Sequence, residues 1–499
     1  MNGRRPARTA AAGSAGWPAA AAGWALLSAA VSAALLPAPA AAHGLVGRSD
    51  LPLPDWLFAW GASIVLIVSF VGLTLGWREV RLEGYRWRAL GHGLSAAVTG
   101  PAARIGAGAV GALLLGFVVW TGIDGVDAPD RNFSITFVFV TFWLGLVILS
   151  VLFGDLFRAF NPWRAIAHVV ARGFSLAVGR RQTAPLRYPE RLGRWPAVAG
   201  LVGFVFLELV WGQTGFATSG VTPATLATAT VAYSLYTFVA MALFGIERWV
   251  DRGETFAQYF GMFASLAVLE VRDGRLGRRP PLAGATTWAQ PTGSLALVLV
   301  AIGATTFDGA QEGVLEGPIS STFQALTDAG LTPLTALRLT NSLYLAGALA
   351  AVAAIFWGGI YGMKIVDGRR RALELGRSFA HAFIPIALAY LIAHYFSLVV
   401  YQEQAQFTFL LSDPFGDGSD WFGTAGSGID YGLIGATAIW YVQFGAIVGG
   451  HVLALALGHD RALVLWKDPR TAAYSQVWML ATMVFFSVLG LYLLSQANA

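Results

Sequence analysis

The feature that most constrains this chain is its division into long apolar runs, separated by loops that hold nearly all of its charge. Ten such runs stand out: Leu57 to Gly76, Ile105 to Thr121, Phe133 to Phe153, Trp195 to Trp211, Ala224 to Phe244, Gly293 to Phe307, Ser342 to Met363, Ser378 to Tyr401, Leu433 to Leu457 and Tyr474 to Leu494. At ~1.5 Å per helical residue these approach or exceed the ~30 Å of a hydrocarbon layer, the run from Gly293 being short for a full crossing. A hydrophobic fraction of 56% against 12% charged residues excludes an ordinary soluble domain. The expected fold class is all-α, a polytopic transmembrane bundle of about ten helices forming one domain over 43–499.

Ahead of these runs, Arg4, Arg5 and Arg8 precede an Ala/Leu-rich stretch that ends in Ala40-Ala41-Ala42, the pattern of a secretory signal peptide over 1–42. Cleavage after Ala42 would make His43 the mature N-terminus, whose amine and ring could chelate copper. Cleavage after Ala40, or retention as an anchor, removes that chelate.

Orientation follows from the basic residues. Of the Lys and Arg after residue 42, only Arg48, Arg131 and Arg338 lie outside five alternate loops: Trp77 to Arg104, Gly154 to Arg194, Gly245 to Pro291, Lys364 to Arg377 and Gly458 to Thr471. Basic residues accumulate in cytoplasmic loops, so both mature termini are expected outside. The other loops are acidic, with Asp124, Asp127 and Asp130 in one, Asp308, Glu312, Glu316 and Asp328 in another, and Glu403, Asp413, Asp417, Asp420 and Asp430 in a third. This arrangement accounts for the net charge of +5 as topology and removes the need for a nucleic-acid partner. Phe256 to Leu269, between two basic clusters, is expected to be interfacial or re-entrant, because a crossing there would invert everything after it.

Chemistry must then come from the few polar residues at membrane depth, which are functional candidates by default. With no cysteine in the chain, any metal is held by His, Asp or Glu. His381, His394 and His451 fall inside apolar runs, and Tyr390, His394, Ser397 and Tyr401 share one helical face. His394 is thirteen residues beyond His381, roughly 20 Å along a helix, which splits the constellation. One group is His394 with Asp308, Glu312, Glu403 and His43; the other is His381 with His451. Pro385 withholds an N–H from the carbonyl of His381, so a kink with a freed acceptor is expected there. Glu208, in the fourth run, is a candidate proton carrier with Tyr390 and Tyr401. His92, His168 and His459 are expected at the surface.

An imidazole and a carboxylate around zinc or copper, with an open position, would activate water for hydrolysis. His394 and Asp308 are the preferred catalytic ligands, and His381 and His451 are further metal candidates. The strings Thr305-Thr306-Phe307-Asp308-Gly309, His381 through Leu398, and Leu411-Ser412-Asp413-Pro414-Phe415-Gly416 resemble multi-pass bacterial membrane proteins named fenitrothion hydrolase. That resemblance implies hydrolysis of a lipophilic organophosphorus triester by a plasma-membrane enzyme, though it assigns no site residues.

Three alternatives stay open on the residues alone. The histidines and Glu208 could form the pathway of a transporter or metal-handling permease, two histidines could ligate haem between helices, or all three could be merely hydrogen-bonded. The lipid bilayer is the expected partner, and a second membrane subunit is not excluded.

Overall fold

The computed structural model describes residues 55–179, 184–213, 221–288, 291–311, 313–366 and 368–496. The expectations for the signal peptide over 1–42, for His43 and for Glu312 lie outside the described residues.

Among the described residues, nine helical stretches are long and apolar enough to cross a membrane, and Trp195–Trp211 is a shorter apolar helix. Nine of the ten expected runs coincide with the long stretches, and the remaining one, Trp195 to Trp211, is the shorter helix, so nine rather than ten described helices have the length of a span. The chain is a multi-pass helical membrane protein. In chain order the helices used below are α1 (Asp55–Gly76), α2 (Pro101–Asp124), α3 (Phe133–Phe153), α4 (Trp195–Trp211), α5 (Pro223–Phe244), α6 (Thr255–Ala264), α7 (Ser294–Gln311), α8 (Pro333–Val366), α9 (Ala372–Phe379), α10 (Ile384–Phe407), α11 (Ala436–Leu465) and α12 (Pro469–Gln496). Prolines in the first turn of α2, α4 and α5 sit where a missing N–H costs nothing. Ile64, Val68, Ile105, Leu113 and Leu235 on α1, α2 and α5 remain exposed, as lipid-facing side chains must.

Helices α10 and α11 make the most extensive helix pair, and α11 packs on α12. Gly450 permits the close approach: a Cβ there would lie 2.3 Å from the Ala389 Cβ and 2.7 Å from the Pro385 carbonyl oxygen. Small residues at such crossings let backbones touch, which is how helices associate without a hydrophobic driving force between them.

The Phe256 to Leu269 segment does not cross. Helix α6 has ten residues, about 15 Å, half of what a span needs. Every α6 residue except Gly261 is buried, so protein rather than lipid surrounds it. Glu254 caps it, accepting from the backbone N–H of Phe256 at 3.0 Å and of Ala257 at 2.7 Å, from Tyr233 Oη at 2.6 Å and from Asn161 Nδ2 at 2.9 Å. The chain returns as a hairpin, β2 (Leu269–Arg272) and β3 (Arg275–Arg278), with β3 also pairing antiparallel to β1 (Arg88–Ala89). The sheet therefore joins two basic loops at one end of the bundle, here called the basic end.

At Pro385 the helix does change character, but no acceptor is left over. Ala380–Phe383 tightens to a 3₁₀ turn, and the Ile384 N–H donates to the His381 carbonyl that proline leaves unserved. The tighter three-residue bond replaces the missing four-residue one.

Candidate functional site

Asp308 lies in the last turn of α7, which runs four residues beyond the expected end of that span. It belongs to a helix rather than to a loop, and its side chain is only 13% exposed. Carboxylates at such depth need donors. His394 Nε2 lies 2.9 Å from Asp308 Oδ2, Tyr395 Oη donates to the same oxygen at 2.5 Å, and Gln311 Nε2 donates to Oδ1 at 2.8 Å. His394 and Tyr395 are neighbours on α10, so two successive side chains close around one oxygen of the facing helix.

With Asp308 ionised, the carboxylate has no proton to give, and Nε2 is the protonated nitrogen of His394. The lone pair is then on Nδ1. That atom faces Gly309, where a Cβ would lie 3.4 Å away, an ordinary packing contact. Beside the ring is a cavity of about 30 Å³, lined by Thr305, Thr306, Tyr390, His394, Ile447 and Gly490 among others. That volume suits one or two water molecules.

Two stretches of π-helix border this site, a geometry often found where function demands it. Phe137–Gly145 in α3 packs on α10, and Leu207–Trp211 in α4 carries Glu208. Glu208 lies within electrostatic reach of Asp308, Tyr259 and Tyr395. Tyr259, from α6, stacks on Trp143 at 4.1 Å between centroids, so the buried α6 forms one wall of the acidic cluster.

The other candidates disperse. Glu403 stands on α10, not in a loop, and accepts from Thr141 Oγ1 at 3.0 Å. Tyr390 gives its hydroxyl to the Phe486 carbonyl at 2.5 Å, and Tyr401 gives its own to Ile434 and Tyr431 carbonyls at 3.2 and 3.4 Å. Their shared helical face is real, but each hydroxyl serves as a helix or loop tie. His451 is fully buried, with Nδ1 2.8 Å from the Ile447 carbonyl of its own helix.

His381 does not join His451. It shares a cavity with Arg461, which is ten residues past His451 on the continuous α11, roughly 15 Å away. Among the described residues no group of three or more His, Asp or Glu comes together as a metal cage. An ion between the expected ligands Asp308 and His394 does not fit while Oδ2 and Nε2 bond each other.

His459 departs from expectation: it is 2% exposed, its Nε2 2.9 Å from the Trp77 carbonyl. The neighbouring Asp460, also buried, collects the Trp77 indole N–H and the backbone N–H groups of Arg81, Leu82 and Glu83. His92 is exposed, and His168 is half-exposed beside Glu247.

Sequence reasoning singled out Asp308 and His394, which the structure brings together, but did not single out Tyr395 and Gln311, which bond the same carboxylate. Gln311 had a legible signal, one helical turn after Asp308. No protein-family model, curated protein or solved structure matches this chain.

Proposed function

We propose that this protein is a membrane-embedded hydrolase of lipophilic phosphotriester-type substrates, in which Asp308 holds His394 as the base that deprotonates water. The observation that carries the reading is the 2.9 Å Asp308–His394 bond beside a water-sized cavity that the imidazole lines. The water oxygen forms a bond to phosphorus, its proton passes to His394, and the P–O bond to the leaving phenolate breaks with the electron pair on that oxygen. Asp308 stabilises the resulting imidazolium, as a carboxylate behind a catalytic histidine does. Ile447, Leu493 and Leu494 give the water-sized cavity an apolar wall.

The resemblance to fenitrothion hydrolases supports the substrate class. The sided charge supports a bacterial plasma-membrane protein with the acidic end and both mature termini outside, after removal of 1–42. A zinc or copper ion, if bound here, would use His394 Nδ1, with Asp308 orienting the ring from behind. No step above depends on it.

A second reading, a proton-coupled permease, is favoured by Glu208 standing within electrostatic range of Asp308, Tyr259 and Tyr395, because acids at membrane depth mark proton pathways. Purified protein in proteoliposomes separates the two. Release of nitrophenol from a thiophosphate triester supports the hydrolase, and uptake of intact triester without release supports the permease.

A further inference from the structure

The basic end of the bundle holds a second cavity, unrelated to the Asp308 cluster, of about 410 Å³. Thr286, Arg371, Arg377, Ser378, His381 and Arg461 line it, together with Leu373 and Glu374. Its charges are unequal. Arg461 is held by Glu83 at 2.7 Å, and Glu374 leans on Arg370 at 3.5 Å, whereas the guanidinium groups of Arg371 and Arg377 make no ion pair among the described residues. His381 also borders this cavity but is 3% exposed, its Nε2 buried from the space itself. Two guanidiniums without an ion pair beside one space are donors for an anion.

Directly adjoining is a third cavity of about 330 Å³ with a different lining: Trp195, Leu299, Val300, Leu349, Ala353 and Trp357 among others. The two cavities share Leu373 and Arg377, both on α9. Leu373 is 52% exposed, so the join is open at the protein surface. A basic compartment thus continues into an apolar groove across a single short helix.

We infer that these two cavities hold one anionic phospholipid, its phosphate against Arg371 and Arg377 and an acyl chain along the groove between α7 and α8. Phosphate is the shared chemistry of a lipid head and a free phosphate ion, and the apolar groove is what selects the lipid. Basic pockets between helix ends are suited to such heads. The site lies at the end of the bundle away from His394 and is independent of the chemistry proposed there.

The test uses full-length protein stripped of lipid in detergent, then given palmitoyl-oleoyl phosphatidylglycerol or phosphatidylcholine and read by native mass spectrometry. The expected result is retention of phosphatidylglycerol about tenfold above phosphatidylcholine, consistent with a few charge contacts. That preference falls to near parity in an Arg371→Gln/Arg377→Gln variant. Ala353→Trp, which fills the groove and leaves every charge in place, lowers retention of both lipids. Millimolar inorganic phosphate does not displace the lipid. Equal retention of both lipids by the wild-type protein overturns the proposal, and so does an unchanged preference in the double variant. Displacement by phosphate with no effect of Ala353→Trp assigns the site to a free anion and also overturns it. Should the arginine variant fail to fold, the wild-type preference and Ala353→Trp still decide.

Discussion

Replacing Asp308 tests the candidate site through two substitutions with different expected costs. In Asp308→Asn, the amide oxygen can keep His394 Nε2 and Tyr395 Oη, while Gln311 turns its own amide to offer an oxygen to the new NH₂. No donor need be orphaned, but the bonds lose their charge, each falling from about 1.5–3 to about 0.5–1.5 kcal/mol. Over three bonds the stability cost is then about 3–4 kcal/mol. In Asp308→Ala, the buried donors of His394 and Tyr395 lose their acceptor, at about 1–3 kcal/mol each, and Gln311 loses a charge-assisted bond of about 1.5–3 kcal/mol as well, for about 4–9 kcal/mol. Both variants leave His394 without its carboxylate, which should lower turnover by about 10²–10⁴. Thermal unfolding in detergent, beside nitrophenol release, reads both quantities. The reasoning fails if the two variants melt together with the wild type, since Asp308 would then not be holding three donors. It fails equally if Asp308→Asn unfolds as readily as Asp308→Ala, or if it turns over substrate at the wild-type rate.

Glu254→Ala removes the acceptor of four donors and the cap of α6, and should cost about 4–6 kcal/mol, seen as a lowered unfolding temperature. Because α6 carries Tyr259 beside Glu208, turnover should fall with it, while Glu254→Gln, which keeps an oxygen, should lose less of both. Gly450→Val would drive side-chain atoms into the Ala389 and Pro385 backbone and should destabilise by at least the ~1–3 kcal/mol of an overpacked core. An unfolding temperature within a degree of wild type would show that α10 and α11 are not in the tight contact described.

The spans were legible because burial in lipid imposes a length and a polarity that any sequence must show. The pairing of Asp308 with His394 was legible from depth alone, since residues at one height in a bundle can meet. Depth is one coordinate, however, and a site needs three. Tyr390 and Tyr401 share the face of His394, yet neither reaches Asp308: Tyr390 turns to α12 and Tyr401 to the chain before α11. His381 and His451 lie on packed helices, but His381 sits at the level of Arg461, below its supposed partner.

Asp308 itself was placed in a loop because a carboxylate ends an apolar run by composition. The helix continues because His394, Tyr395 and Gln311 satisfy that carboxylate across and along it. The π-helical stretches in α3 and α4 have no sequence signature, since they arise where packing forces one extra residue into a turn. His459 looked like a surface residue because it follows an apolar run, whereas its partner, like those of the neighbouring Asp460, lies nearly four hundred positions earlier.

The measurement that tests the central claim most directly is nitrophenol release from a thiophosphate triester by purified wild-type protein and by His394→Ala, with metal content determined on the same samples. The account predicts catalytic turnover by the wild type and a loss of about 10²–10⁴ in the variant, at unchanged metal content and with the variant still monodisperse. Equal turnover by the two proteins, or none by the wild type, would contradict it.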